Sequence, residues 1–279
     1  MKNETPVKKA AKKVAEKPTE RLETNPVAAK VSMWSKKIKK QSEKGKAWKM
    51  LFIALFGIAL AVWVAVVLYL VQLAISIIFI KIVPGDALTS NVISSVYQVV
   101  VYGVALAAII GIPWKLLNNK TTRDEVGMRG LPTWTDILLA PIGFIVTLFA
   151  AGALTALMMS LMPEVNWEQA QEVGYSGLYR LSDFVLAFIC LVILAPLCEE
   201  IIFRGWLYGK LRFRMSAVPA ILITSVLFGI MHGQWNVGVT VFAMSVGMCI
   251  MRELTGTIWS GVLLHMIKNG VAFYFLFVV

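Results

Sequence analysis

The order of apolar and polar positions divides the chain into a polar arm followed by long apolar runs. Leu51 to Ile80 is thirty residues without a charge. A bilayer core of about 30 Å needs about 20 apolar residues as helix, so this run is long enough to span with tilt. Further runs at roughly 91–114, 134–162, 183–209, 216–234, 237–251 and 257–279 bring the expected spans to seven. None shows the period-two alternation of a barrel strand, and only helices or closed barrels satisfy their backbone groups in lipid. The expected fold is all-α, a polytopic membrane helix bundle. Residues 1–48 are expected as a disordered basic tail, 49–182 as an N-terminal group of transmembrane helices and 183–279 as a second group.

Charge sharpens this division. The net charge of +11 would suit a nucleic-acid binder, but residues 1–50 hold 15 Lys or Arg against 5 Asp or Glu. The remainder is nearly balanced, 12 basic against 11 acidic. Lys36, Lys37, Lys39, Lys40, Lys44, Lys46 and Lys49 lie just before the first span. That cluster fits anionic lipid headgroups better than nucleic acid, for which the tail offers only Trp34 and Trp48 as aromatics and no supporting fold. The first apolar run is too long and begins too late for a cleavable signal peptide. Loops rich in Lys and Arg favour the cytoplasm. The expected setting is a cell membrane, multi-pass, with the N-terminus and the 115–133 loop cytoplasmic and the acidic 163–182 loop outside. Cys190, Cys198 and Cys249 lie in apolar runs and read as reduced, buried side chains.

Ionisable groups within spans cost roughly 2.5–3.5 kcal/mol each at a helix centre, and here they gather in the second half. They are Glu199, Glu200 and Arg204 behind Pro196, then His232 four residues after Phe228, then His265, Lys268 and Asn269. The chain has two histidines, and both belong to this set. Glu200 and Arg204 share a helix face and can pair, whereas Glu199, turned by about 100°, is free to face another helix. Lys268, turned similarly from Asn269, is expected to snorkel away. Pro196 should kink its helix and free a carbonyl. Counting from the turn near Phe213, Glu199 and His232 lie at similar depths, about 21 and 28 Å, which suggests one cavity opening toward the cytoplasm.

A carboxylate and imidazoles around a water make a general-base hydrolase. In one reading Glu199 takes the water's proton, His232 orients the water, and His265 with Asn269 donates to the oxyanion of a peptide carbonyl. In another, Glu199, His232 and His265 hold zinc. No Ser or Cys stands beside a histidine as a nucleophile. Arg204 and Phe228 read as supporting residues, and Arg252-Glu253 as a loop pair.

Glu199-Glu200-x-x-x-Arg204, Phe228-x-x-x-His232 and His265-x-x-x-Asn269, in this order on successive apolar helices, resemble the three motifs of the CPBP family. That family comprises CAAX prenyl-protein endopeptidases and the bacterial Abi, or bacteriocin-processing and immunity, proteins. The resemblance covers roughly 183–279. It implies an intramembrane endopeptidase of the glutamate type, with Glu199, Glu200, His232, His265 and Asn269 in the active site and zinc as a possible cofactor. It also implies a bundle of seven to eight helices, and a hydrophobic, prenylated or bacteriocin-like peptide as substrate. Two rival readings use the same polar set. A membrane scaffold or immunity protein would bind a partner with it. A coupled transporter would be expected to repeat it in both halves, and it does not.

Overall fold

The computed structural model describes residues 26–279 apart from 86, 119 and 176. Among the described residues every regular element is helical. Two units divide the chain, one up to Leu55 and one from Phe56 onward. In the first, the described residues form the opening part of helix α1 (Pro26–Ile82), with Trp48 and Met50 exposed. Of the tail expected to be disordered over 1–48, residues 1–25 lie outside the described residues, and from Pro26 the chain is helical. The physical reason is composition and continuity: Ala and Lys are good helix formers, and a segment extending an existing helix needs no new nucleus.

Besides the short helical turns Ala87–Thr89 and Arg123–Val126, the second unit contains, among the described residues, the rest of α1 and six further helices. They are α2 (Asn91–Leu117), α3 (Trp134–Leu161), α4 (Leu181–Arg212), α5 (Ala217–Ile230), α6 (Trp235–Thr255) and α7 (Trp259–Phe277). Among the described residues six helices are long and apolar enough to cross a membrane, α1 doing so from Glu43. The exception is α5, whose 14 residues rise only about 21 Å. The expected seven to eight spans are thus six full ones and one short one among the described residues. Their outward faces carry exposed Val66, Leu70, Ile77, Ile145, Phe149 and Val185, the arrangement expected where the solvent is lipid. Inside, α3 packs on α6 and α7, and α5 on α6, around Ile109, Phe203, Leu207, Met248 and Leu264.

Two sets of loops mark the ends of this unit. At one end, Trp259 Nε1 donates to Gly130 O at 2.6 Å and Arg252 Nη2 to Glu125 O at 3.0 Å. At the other, Asn91 Nδ2 donates to Gly177 O at 2.8 Å and Asn236 Nδ2 to Gln169 O at 2.7 Å. The expected Arg252-Glu253 pair does not form. Glu253 instead accepts from Arg212 Nε at 2.8 Å, from Arg212 Nη2 at 3.1 Å and from the Tyr208 hydroxyl at 2.9 Å. Neighbours in sequence point about 100° apart on a helix, so Glu253 reaches α4 while Arg252 reaches the 118–133 loop.

The helix α4 is irregular where the sequence predicts a kink. Its stretches Ile189–Leu194 and Ile201–Leu207 are wound wider than an α-helix. The Ala195 N–H bonds Cys190 O and the Tyr208 N–H bonds Phe203 O, each five residues back. Such π-type turns are often found at functional sites. In this register the partner of Leu191 O would be residue 196, which is proline and has no N–H. Asn269 of α7 fills the gap, donating from Nδ2 to Leu191 O at 2.8 Å.

Two glycines bring α5 and α6 into backbone contact. A Cβ at Gly229 would lie 2.8 Å from Gly238 O, and one at Gly238 would lie 2.9 Å from Gly229 O. Neither carbonyl can rotate away as a side chain could. Gly238→Ala is therefore expected to lower stability by about 1–3 kcal/mol, as overpacking does, read as a reduced melting temperature of the purified protein in detergent. Gly103→Ala, on α2 with open space around it, should leave the melting temperature unchanged or raise it.

Candidate active site

The second helical stretch of α4, Ala195–Glu200, lies between the two wide turns and carries both glutamates. Glu200 and Arg204 are fully buried, and Arg204 Nη1 donates to Glu200 Oε1 at 2.7 Å. The same oxygen lies 3.2 Å from His265 Nδ1. An ionised carboxylate only accepts, so Nδ1 carries the hydrogen and Nε2 faces Glu199. The gap from Nε2 to Glu199 Oε2 is 3.9 Å, too long for a direct hydrogen bond. A water to one side could reach both atoms. Glycine at 261 leaves room for this arrangement, because a Cβ there would stand 3.0 Å from Glu200 Oε2.

Glu199 has a partner that motif spacing does not supply. The Tyr102 hydroxyl, on α2, donates to Glu199 Oε1 at 2.5 Å. This leaves Oε2 as the oxygen turned toward His265. A sequence signal for Tyr102 does exist: Ser94, Gln98 and Tyr102 recur every four residues along a mostly apolar run, a polar stripe on one helix face.

Phe228 stands at the centre of the cluster. Its ring lies 4.3 Å from Arg204 Cζ, a cation–π distance. It also meets His232 at 4.9 Å, His265 at 5.8 Å and Phe203 at 4.9 Å between ring centroids, all near edge-on. His232 Nδ1 lies 2.8 Å from Phe228 O. A carbonyl cannot donate, so Nδ1 bears the hydrogen and Nε2 is left for the cavity. The expected neighbours are thus brought together, but in a different order. His265 is tied to Glu200 and lies near Glu199, whereas His232 is held by backbone. Asn269 commits one amide hydrogen to Leu191 O and keeps the other.

These groups line a cavity of about 780 Å³. Its walls run from Glu199, His232, His265 and Asn269 past Gln72, Ser76 and Gln98 to Leu88 and to Glu172–Gly174. It therefore extends toward the end marked by the 83–90 and 162–180 loops, not toward the 118–133 loop as the depth argument from Phe213 implied. That argument placed the groups at a common depth but could not say on which side the helices part. Lys268 also lines the cavity, although it was expected to snorkel away. Its angle to Asn269 mattered less than its spacing of three from His265, which puts both on one face.

The candidate zinc ligands Glu199, His232 and His265 are not gathered as a metal site in this arrangement. Among the described residues no three His, Cys, Asp or Glu side chains gather at metal-ligand spacing. Glu199 Oε2 and Nε2 of both histidines stay free, with Nδ1 of each ring held by the protein as in metal-ligating histidines, so the donor types suit zinc although they are not gathered around one point. The three cysteines are buried and free.

Comparison with known proteins places the same region. Residues 181–271 match the family model described as Type II CAAX prenyl endopeptidase Rce1-like. That stretch contains all three motifs and excludes Tyr102. The chain is 28% identical over 169 residues to the Bacillus subtilis (strain 168) protein named "Putative membrane peptidase YdiL", covering 60% of this chain and 64% of that one. It is 27% identical over 152 residues to a Mycoplasma capricolum protein named "Uncharacterized protein", covering 51% of this chain and 43% of the other. The chain thus spans less than two thirds of the length of these relatives. No solved structure matches it. With its six long apolar helices, the chain is a multi-pass membrane protein.

Removing one member of a buried ion pair leaves the other uncompensated, at a cost of about 3–5 kcal/mol. Arg204→Met is expected to destabilise by that order, measured by denaturant unfolding in detergent. Glu200→Leu combined with Arg204→Met should cost less than the sum of the two single changes, because the pair acts as a unit.

Proposed function

We propose that this protein is an intramembrane endopeptidase that uses Glu199 to activate water. The observation that carries the reading is the Glu199 carboxylate, fixed by Tyr102 at one oxygen and facing His265 across 3.9 Å with the other, at the wall of a large cavity within apolar helices. A water held between Glu199 Oε2 and His265 Nε2, and within reach of His232 Nε2, gives its proton to Glu199 and attacks the scissile carbonyl carbon. The carbonyl π-bond opens to an oxyanion. The second amide hydrogen of Asn269 is available to that oxygen. His265, one turn away on α7, faces the same place with Nε2 while Glu200 holds its Nδ1. On collapse the C–N bond breaks, and Glu199 returns its proton to the leaving amine. Arg204 and Phe228 hold Glu200 and both imidazoles in place without touching the reacting atoms.

The substrate class suggested by the cavity is a hydrophobic, membrane-associated peptide, lipidated in the CAAX-like manner or bacteriocin-like. Its apolar walls would receive the side chains, and Gln72, Ser76 and Gln98 the backbone. The basic arm before α1 favours a cytoplasmic N-terminus and contact with anionic lipid. In that orientation the cavity mouth faces the opposite side of the membrane. Catalysis by these side chains requires no metal ion. Were zinc used, Glu199, His232 and His265 would be its ligands after rearrangement.

Cleavage of a panel of hydrophobic peptides by purified protein tests the reading. Glu199→Ala is expected to lower kcat by about 10²–10⁴, the usual contribution of a general base, and the wild type should keep cutting after treatment with a chelator. Undiminished cleavage by the variant sinks the assignment of Glu199. Activity lost on chelation and restored by zinc replaces the water mechanism by a metal one. A peptide bound by wild type and variant alike but cut by neither favours the scaffold reading. Tyr102→Phe removes one hydrogen bond to a charged group, worth about 1.5–3 kcal/mol. It should lower kcat by about ten- to a hundredfold with little change in KM, and a purely KM effect would rule out its role in fixing the base.

A further inference from the structure

Three buried or partly buried cations of this unit have carboxylate partners, and Arg252 is held by the backbone oxygens of Glu125 and Gly256. Arg204 pairs with Glu200 at 2.7 Å, Arg212 with Glu253 at 2.8 Å, and Lys210 with Glu125 at 3.5 Å. Lys268 makes no salt bridge or hydrogen bond with a described residue. It nevertheless lies within α7, where an uncompensated charge is costly. Among the described residues lining the cavity it is the one Lys or Arg, and the acidic ones are Glu199 and the exposed Glu172 at the mouth.

Its place along α7 gives the charge a direction. His265, Lys268, Asn269, Ala272 and Leu276 all line the cavity and recur at helical spacing. Lys268 is three residues beyond His265, about 4.5 Å further along the axis, on the side of the mouth. That rise plus its four-carbon stem covers about one to three residues of extended peptide, at about 3.3 Å each. An ammonium so placed is a point charge that complements an anion. A peptide threaded from the mouth would put its own anion in that place only if it carries a carboxylate close to the scissile bond.

We infer that Lys268 is a specificity-determining residue that binds a substrate carboxylate one to three residues from the scissile bond, on the mouth side. This rests on the peptidase reading above and deepens it by naming the feature of the peptide that is recognised. The competing role for Lys268 is to balance the charge of Glu199, which acts on it electrostatically. The two roles differ in what a neutral replacement does. Loss of a carboxylate anchor abolishes discrimination between anionic and neutral peptides. Loss of a countercharge slows every peptide alike.

The test uses the full chain in detergent and one hydrophobic peptide in three forms. These are the free C-terminal acid ending one to three residues past the cleaved bond, its C-terminal amide, and the amide with Glu as its last residue. The wild type is expected to cut the acid with a kcat/KM at least tenfold above that of the amide. In Lys268→Met the ratio should fall to about one, and in Lys268→Arg the preference should survive, which separates loss of charge from misfolding. If Glu restores cleavage of the amide, any carboxylate in that place suffices; if it does not, the chain terminus itself is read. A wild-type ratio within twofold overturns the inference, as does a Lys268→Met variant that slows acid and amide by the same factor. No cleavage of any form by the wild type overturns the peptidase reading and this role together, whereas cleavage without discrimination overturns this role alone.

Discussion

The arrangement depends on one buried ion pair. Glu200 and Arg204 are both inaccessible, and an isolated charge of either sign could not remain in that interior. Each holds further groups through the other. Glu200 takes the Nδ1–H of His265, and Arg204 lies against the ring of Phe228, which in turn meets both histidines. The imidazole of His265 is thereby held directly, and that of His232, in the turn after α5, is packed through Phe228 against a pair that is itself absent from the cavity wall. The neighbouring glutamate is then free to face water. One change of helix angle between adjacent residues divides the buried, paired carboxylate from the one that lines the cavity.

A second constraint comes from the backbone. In lipid each carbonyl needs a partner, and Pro196 withholds the one Leu191 would have had. The wide turns of α4 and the amide of Asn269 answer that need together. Asn269 therefore has a structural task that its spacing from His265 does not reveal, and only its second amide hydrogen remains for a substrate. The same bond fixes α7 against α4 one turn from His265, so the geometry between base and imidazole rests partly on a proline.

Much of this was legible in the sequence, for stated reasons. Charges in apolar runs are expensive, so Glu199, Glu200, Arg204, His232 and His265 stand out, and a spacing of four pairs Glu200 with Arg204 without a structure. Pro196 announces a freed carbonyl. What spacing could not supply was contact between helices. Nothing local says that His265 meets Glu200, that Glu253 turns to Arg212, or that Tyr102 reaches Glu199 from α2. Lys268 was misread because its angle was taken from Asn269 and not from His265. The side on which the cavity opens depends on where helices diverge, which hydropathy does not encode. The short α5 was counted as a span because its apolar run continues to His232, past the point where the helix ends at Ile230.

The distribution of roles between the two halves of the chain follows from these contacts. The three motifs, within the region 181–271 that matches the Rce1-like family model, place Glu199, His232, His265 and Asn269 on the cavity wall. The cavity is closed on its other side by α1 and α2, through Gln72, Ser76, Gln98 and Tyr102, which lie outside that region. A peptide in the cavity would touch both. The wall that carries these groups is constrained by the buried Glu200–Arg204 pair behind it. The opposing wall is constrained at Tyr102 by Glu199 and elsewhere mainly by shape and polarity. Differences in what such proteins recognise should therefore accumulate on α1 and α2, and at those positions of α7, such as Lys268, that face the cavity without holding the base.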